Sequence, residues 1–228
     1  MKLDILLLEP YLSMGTQEWA KQLKKRSRHW FTILSLPGKH WKWRAISSAY
    51  YLAEQTQRHQ EPFRLSIASS VLNLPEYLSL IPDNLKNVPR AVYFHENFLN
   101  FSKSSQNQAD FEFGFANFIS AIKAHHLFFN SKYHLKHFFE NLPVFFKNFP
   151  DGHPPDIIED LYRKASVLEW GCDLKRHDLY RSAQDKNPKT PVILWNSRWS
   201  SEKGPEDFYQ ALKMIHQKKI PFKLVVLG

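Results

Sequence analysis

Leu3-Asp4-Ile5-Leu6-Leu7-Leu8-Glu9-Pro10 stands at the head of the chain and decides its class. The apolar run from Ile5 to Leu8 does not alternate with polar residues, so both faces of a strand predicted over 3–8 must be covered, as in a parallel sheet. The small turn Ser13-Met14-Gly15-Thr16 follows, and Gln17 to Arg26 then carries Trp19, Ala20 and Leu23 at helical spacing. The same alternation continues with strands predicted over 30–34, 63–68, 90–94 and 126–129. Helices are predicted over 42–58, 74–80 (closed by Pro82), 110–124 and 132–139. Strands alternating with helices predict an α/β, Rossmann-like, doubly wound parallel sheet with its ligand crevice at the carboxyl ends of the strands. Pro143, Pro150 and Asp151-Gly152-His153-Pro154-Pro155 read as a loop, and 182–191 reads as a polar linker. Beyond it, strand 192–195, helix 205–216 and strand 222–227 restart the pattern. The expected domains are therefore 1–181, the linker 182–191, and 192–228 as the start of a second Rossmann-like domain present only in part.

The chain has 228 residues, more than one ordinary domain needs and few for two. With 43% hydrophobic and 23% charged residues it can bury a sizeable core and lacks a disordered composition. One cysteine, Cys172, excludes an internal disulfide framework and a multi-cysteine zinc site. No run approaches the roughly 18–20 apolar residues of a membrane span, and acids flank the short run near the start, so neither a membrane segment nor a signal peptide is expected. The expectation is a cytoplasmic protein. A formal net charge of +9 favours an anionic partner: nucleic acid, a phosphorylated small molecule or a membrane surface.

Each candidate site follows a predicted strand. Asn196-Ser197-Arg198-Trp199-Ser200-Ser201-Glu202-Lys203-Gly204 leads into a helix, placing Arg198 and Lys203 at an N-terminus whose free amides favour an anion such as a diphosphate. Solvated loop cations are the competing reading. His95-Glu96-Asn97 follows strand 90–94; a zinc-protease motif fails because Leu99 stands where its second histidine belongs. His95 and Asn97 can hydrogen-bond a polyhydroxylated ligand, and a histidine capping a strand end is the alternative. Met14-Gly15-Thr16 is where the backbone comes close to a ligand, although the glycine triplet of dinucleotide binding is absent. Asn130-Ser131 suits sugar or phosphate, or else a helix cap by Ser131. Lys39-His40-Trp41-Lys42-Trp43-Arg44 interleaves cations with aromatics as nucleic-acid surfaces do, or begins a basic helix with one tryptophan on the core. His125, His126, His134 and His137 lack the further ligands a metal needs, and no Asp-x-Asp pair or nucleophile elbow occurs. No metal and no cofactor are expected.

Five runs together resemble the tRNA-queuosine mannosyltransferase family: Leu7-Leu8-Glu9-Pro10-Tyr11, Leu36-Pro37-Gly38-Lys39-His40-Trp41-Lys42-Trp43-Arg44, Val71-Leu72-Asn73-Leu74-Pro75-Glu76, Tyr93-Phe94-His95-Glu96-Asn97 and Ile193-Leu194-Trp195-Asn196-Ser197-Arg198-Trp199. Members of that family look like retaining GT-B glycosyltransferases. The resemblance implies that Arg198, Lys203 and Gly204 bind the donor diphosphate. It further implies that Met14, Gly15 and Thr16 form the loop after the first strand and that His95, Glu96 and Asn97 are the catalytic residues near the transferred sugar. Lys39, Trp41, Trp43 and Arg44, with Asn130 and Ser131, would meet the acceptor RNA, helped by Lys24, Lys25, Arg26 and Arg28. The implied donor is GDP-mannose and the implied acceptor the cyclopentene diol of queuosine in the anticodon of an aspartate-type tRNA. The family usually has two adjacent glycines where this chain has Met14-Gly15, and an acid where it has Ser70. Its sugar- and ribose-binding carboxylates belong to a later part of the second domain, so the 228 residues alone are expected to transfer sugar poorly. The alternatives are a glycosyltransferase with another acceptor and a tRNA-binding module without transfer.

Overall fold

The computed structural model describes residues 1–59, 62–99, 108–171, 173–180 and 190–227. The elements run β1 (Asp4–Leu12), α1 (Met14–Arg26), β2 (Trp30–Pro37), α2 (Trp41–Gln57), β3 (Leu65–Ser69), α3 (Leu74–Leu80), α4 (Asp83–Lys86), β4 (Arg90–Phe94), α5 (Gln108–Lys123), β5 (His126–Phe129), α6 (Lys132–Phe146), α7 (Ile157–Arg163), β6 (Ala165–Val167), α8 (Lys175–Asp178), β7 (Val192–Asn196), α9 (Pro205–Gln217) and β8 (Lys223–Leu227). They fall into two units, 1–172 and 173–228, so the division comes earlier than the linker expected at 182–191. That linker lies, but for its last two residues, outside the described residues, as does Cys172.

In the first unit all strand pairs are parallel and the order is β2-β1-β3-β4-β5-β6. The apolar run in β1 shows why. Leu6 and Leu8 join the core under α2, α3, α5 and α6, whereas Ile5 and Leu7 join a second core with Trp19 and Ala20 of α1. Successive side chains of a strand point to opposite faces, so an uninterrupted apolar strand is one clothed on both. The strand order reverses direction between β1 and β3, and in sheets wound this way the ligand crevice opens at that point, beyond the carboxyl ends.

Three elements depart from expectation. α1 begins at Met14, so Met14, Gly15 and Thr16 form its first turn rather than a loop; Ser13 caps it, its Oγ accepting from the Thr16 N–H at 3.3 Å. α6 continues through Pro143 to Phe146, where a loop was expected. Proline removes one internal hydrogen bond, and Leu142, Phe145 and Phe146, each under 5% exposed, offset that cost by burial. The third departure follows: α7 and the three-residue β6 were not expected, and β6 extends the sheet beyond β5.

In the second unit β7 and β8 pair in parallel from Val192↔Lys223 to Asn196↔Leu227, joined by α9. Trp195 is its buried anchor, stacked at 5.0 Å on Trp199 and packed at 4.6 Å on Phe208. Among the described residues no helix is long and apolar enough to cross a membrane.

Candidate functional site

The turn after β4 is held by braces that reach its main chain. Asn130 Nδ2 donates to the carbonyl of His95 at 2.7 Å, and Ser70 Oγ donates to that of Glu96 at 2.8 Å. Asn117 accepts from the Phe98 N–H at 3.0 Å while donating to the Ser70 carbonyl at 2.7 Å. These contacts join the ends of β3, β4 and β5. His95, Glu96, Asn97, Asn130 and Ser131, singled out separately in the sequence, thereby line one open groove of about 490 Å³ with Tyr133, His134 and His137.

Ser131 caps α6, accepting from the His134 N–H at 3.1 Å, so its capping role is present in the groove. Asn130 Oδ1 lies 3.1 Å from His134 Nδ1. Because the amide nitrogen of Asn130 is committed to His95, its oxygen faces the ring and the imidazole carries its proton on Nδ1. Burial against Phe94 and Phe129 pushes the His134 pKa down to about 4, with the positive charge of His137 acting in the same direction. An unfolded histidine titrates near 6.5, so the unfolded chain takes up the proton first as the pH falls. This contribution to stability is complete above pH 6.5 and is lost progressively toward pH 4. The urea midpoint should be lower at pH 5 than at pH 7, and His134→Gln should narrow the gap; an unchanged gap would exclude His134 as its source.

Beside the turn, His95 sits in a box of aromatic rings. Trp19 meets it edge-on at 4.6 Å, with Tyr93 at 4.8 Å and Trp170 at 4.9 Å. The Tyr93 hydroxyl, pushed up to about 12 by burial, stays neutral and donates to the Leu168 carbonyl at 2.8 Å. Beneath lies the carboxylate of Glu9, 1% exposed, with Oε2 3.4 Å from His95 Nε2. Glu9, Trp19 and Trp170 were not anticipated as site residues. The available signal for Glu9 was an acid closing the most apolar strand of the chain, within a family motif.

Gly15 lies on the same side, since a Cβ there would come 3.7 Å from the Trp170 ring. Further along this edge, the Trp41 ring stacks on Phe98 at 5.6 Å and 1°, with Lys42 Nζ 5.7 Å above it. Trp43 is 52% exposed, Lys39 is exposed, and Arg44 Nε donates to the Pro37 carbonyl at 3.4 Å. Trp41 is thus the tryptophan engaged with packing, and Trp43 the one presented to solvent.

In the second unit, a single 3-10 turn (Ser201–Lys203) separates the Arg198 loop from α9. Gly204 links them with φ of 62°, a left-handed conformation natural to glycine, and Pro205 occupies the first helical position. Lys203 and Arg198 are both exposed there. The first turn of α9 also carries Glu206 and Asp207, so an anion at this point depends on Arg198 and Lys203 as well as on the helix amides.

Among the described residues no group of three or more His, Cys, Asp or Glu side chains is placed to hold a metal. Compared with solved structures, the chain is similar over 99% of its length to the crystal structure of Anabaena HepE in complex with UDP and glucose. The TM-score is 0.52 over 69% of that chain, and at 13% identity the likeness shows the fold alone, an α/β arrangement of GT-B type. Among curated proteins it is 31% identical over 234 residues to the tRNA-queuosine alpha-mannosyltransferase of Drosophila melanogaster, and spans 62% of that protein's length. Residues 4–172, the whole six-stranded sheet, match the N-terminal family of tRNA-queuosine alpha-mannosyltransferase, and the chain belongs to that family.

Proposed function

We propose that this chain supplies the acceptor side and part of the donor side of a cytoplasmic GT-B mannosyltransferase. The enzyme moves mannose from GDP-mannose to the cyclopentene diol of queuosine in aspartate-type tRNA, with retention of configuration. The observation that carries the reading is the family match over 4–172, whose carboxyl-edge groove presents His95, Glu96, Asn97, Asn130 and Ser131 together. In the reaction, the bond between mannose C1 and the diphosphate oxygen breaks, and C1 bonds to a diol oxygen on the same face. The hydroxyl proton leaves with the departing phosphate. Arg198, Lys203 and the amides opening α9 stabilise the charge that develops there, without a metal. Lys39, Trp43 and Arg44 offer cations and one open aromatic face to the RNA, in keeping with a net charge of +9.

The complete gene product containing this chain, incubated with queuosine-containing tRNA and GDP-mannose, should add one hexose mass to the nucleoside, while queuosine-free tRNA stays unmodified. A hexose on queuosine-free tRNA would point to another acceptor. Salt-sensitive tRNA binding with no increment from any nucleotide sugar would reduce the protein to an RNA-binding module.

A further inference from the structure

Glu9 is held asymmetrically. Its Oε1 accepts from the Ser69 hydroxyl at 3.1 Å and from the Tyr11 N–H at 3.0 Å. Its Oε2 is buried without a hydrogen-bond partner among the described residues and faces His95 Nε2 at 3.4 Å. A buried carboxylate oxygen is costly unless a donor meets it, and an imidazole nitrogen bearing a lone pair would repel it. Trp19, Tyr93 and Trp170 surround the histidine ring and restrict its rotation. We propose that Glu9 is a positioning residue that fixes the ring of His95 with a proton on Nε2.

Both anchors of Oε1 lie in the sheet, one in β1 and the other at the end of β3, so the carboxylate is as rigid as the strands that carry it. The side chain of His95 is only 11% exposed, which leaves the carboxylate rather than bulk water to decide where its proton sits. The bearing of this on sugar transfer rests on the function proposed above; the placement of the proton does not.

The test is Glu9→Gln, read by imidazole nitrogen NMR of histidine-labelled protein at pH 8. In the variant the amide oxygen can keep both donors, Ser69 and Tyr11, which turns the amide N–H toward His95 Nε2. The His95 proton should therefore sit on Nε2 in the unaltered protein and move to Nδ1 in the variant. Protonation on Nδ1 alone in the unaltered protein, or the same placement in both, overturns the proposal. Should the variant not fold, the unaltered protein decides alone: a proton on Nε2 supports the proposal, and a proton on Nδ1 alone overturns it. In the transfer assay, Glu9→Gln should lower kcat by about 100-fold with KM for tRNA unchanged, as misplacing a positioned group does. Absence of transfer by the unaltered protein would remove the proposed function and leave the NMR result to decide the role of Glu9.

Discussion

Gly38→Ala should lower the stability of the N-terminal unit by about 3 kcal/mol, because it forces a methyl group into occupied space. A Cβ at this position would lie 2.5 Å from the Leu12 carbonyl oxygen, 2.7 Å from its carbon and 2.8 Å from the Ser13 nitrogen. All three are main-chain atoms and cannot swing aside as a side-chain tip could. They sit where β1 and β2 end together, at the pairing of Leu12 with Pro37, just past the irregularity in register between Glu9 and Leu12. Relief requires the two strand ends to separate, carrying Ser13 away from the first turn of α1, which it caps. For a chain of this size the loss corresponds to a fall in Tm of about 6–12 °C. Gly171→Ala is the control, since a Cβ there meets nothing within 4 Å. A Tm for Gly38→Ala within a degree of the control would show that the strand ends yield freely.

The second large effect is expected at Phe129, the last residue of β5. Its ring is 0% exposed, stacks on Phe94 at 4.9 Å and 7°, and packs on Phe138 at 5.1 Å and His134 at 5.4 Å. Phe129→Ala leaves a cavity in that stack and should cost about 3–5 kcal/mol, a large part of the roughly 5–15 kcal/mol that holds a domain folded. Phe129→Leu retains most of the volume and should cost much less. The damage should reach the groove, because Asn130, the next residue, carries the brace on His95. Urea unfolding of the two variants provides the comparison; equal midpoints would mean that the stack is loosely packed. Histidine NMR of Phe129→Ala should also show His134 moving toward an ordinary pKa as water reaches it.

The first strand, the succession of β and α, and the gathering of candidate residues beyond the carboxyl ends of strands were legible because each rests on a local pattern. Ile5-Leu6-Leu7-Leu8 has no polar gap, so it needed cover on both faces, and the two cores on opposite sides of β1 supply it. The end of α6 was not legible. Pro143 ends a helix by local rules, and what overrides it is burial against helices distant in sequence. β6 escaped notice because its three residues are half-buried and show neither alternation nor a run. In the site, His95, Asn97 and Asn130 announced themselves as polar residues directly after strands. Glu9 did not, because an acid after an apolar run reads as a strand end, and its partners Ser69 and His95 come near it only through the parallel order of β1, β3 and β4.

The braces around residues 95–98 carry a consequence for how this edge of the sheet can vary. Ser70, Asn117 and Asn130 all grip main-chain atoms there, while the side chain of Glu96 points to solvent. The path of the turn is dictated by residues far away in the sequence, and what the turn displays is set independently of that path. It works like a tool holder with an exchangeable bit: distant hydrogen bonds fix the mount, and the side chain at position 96 can be changed without reshaping it.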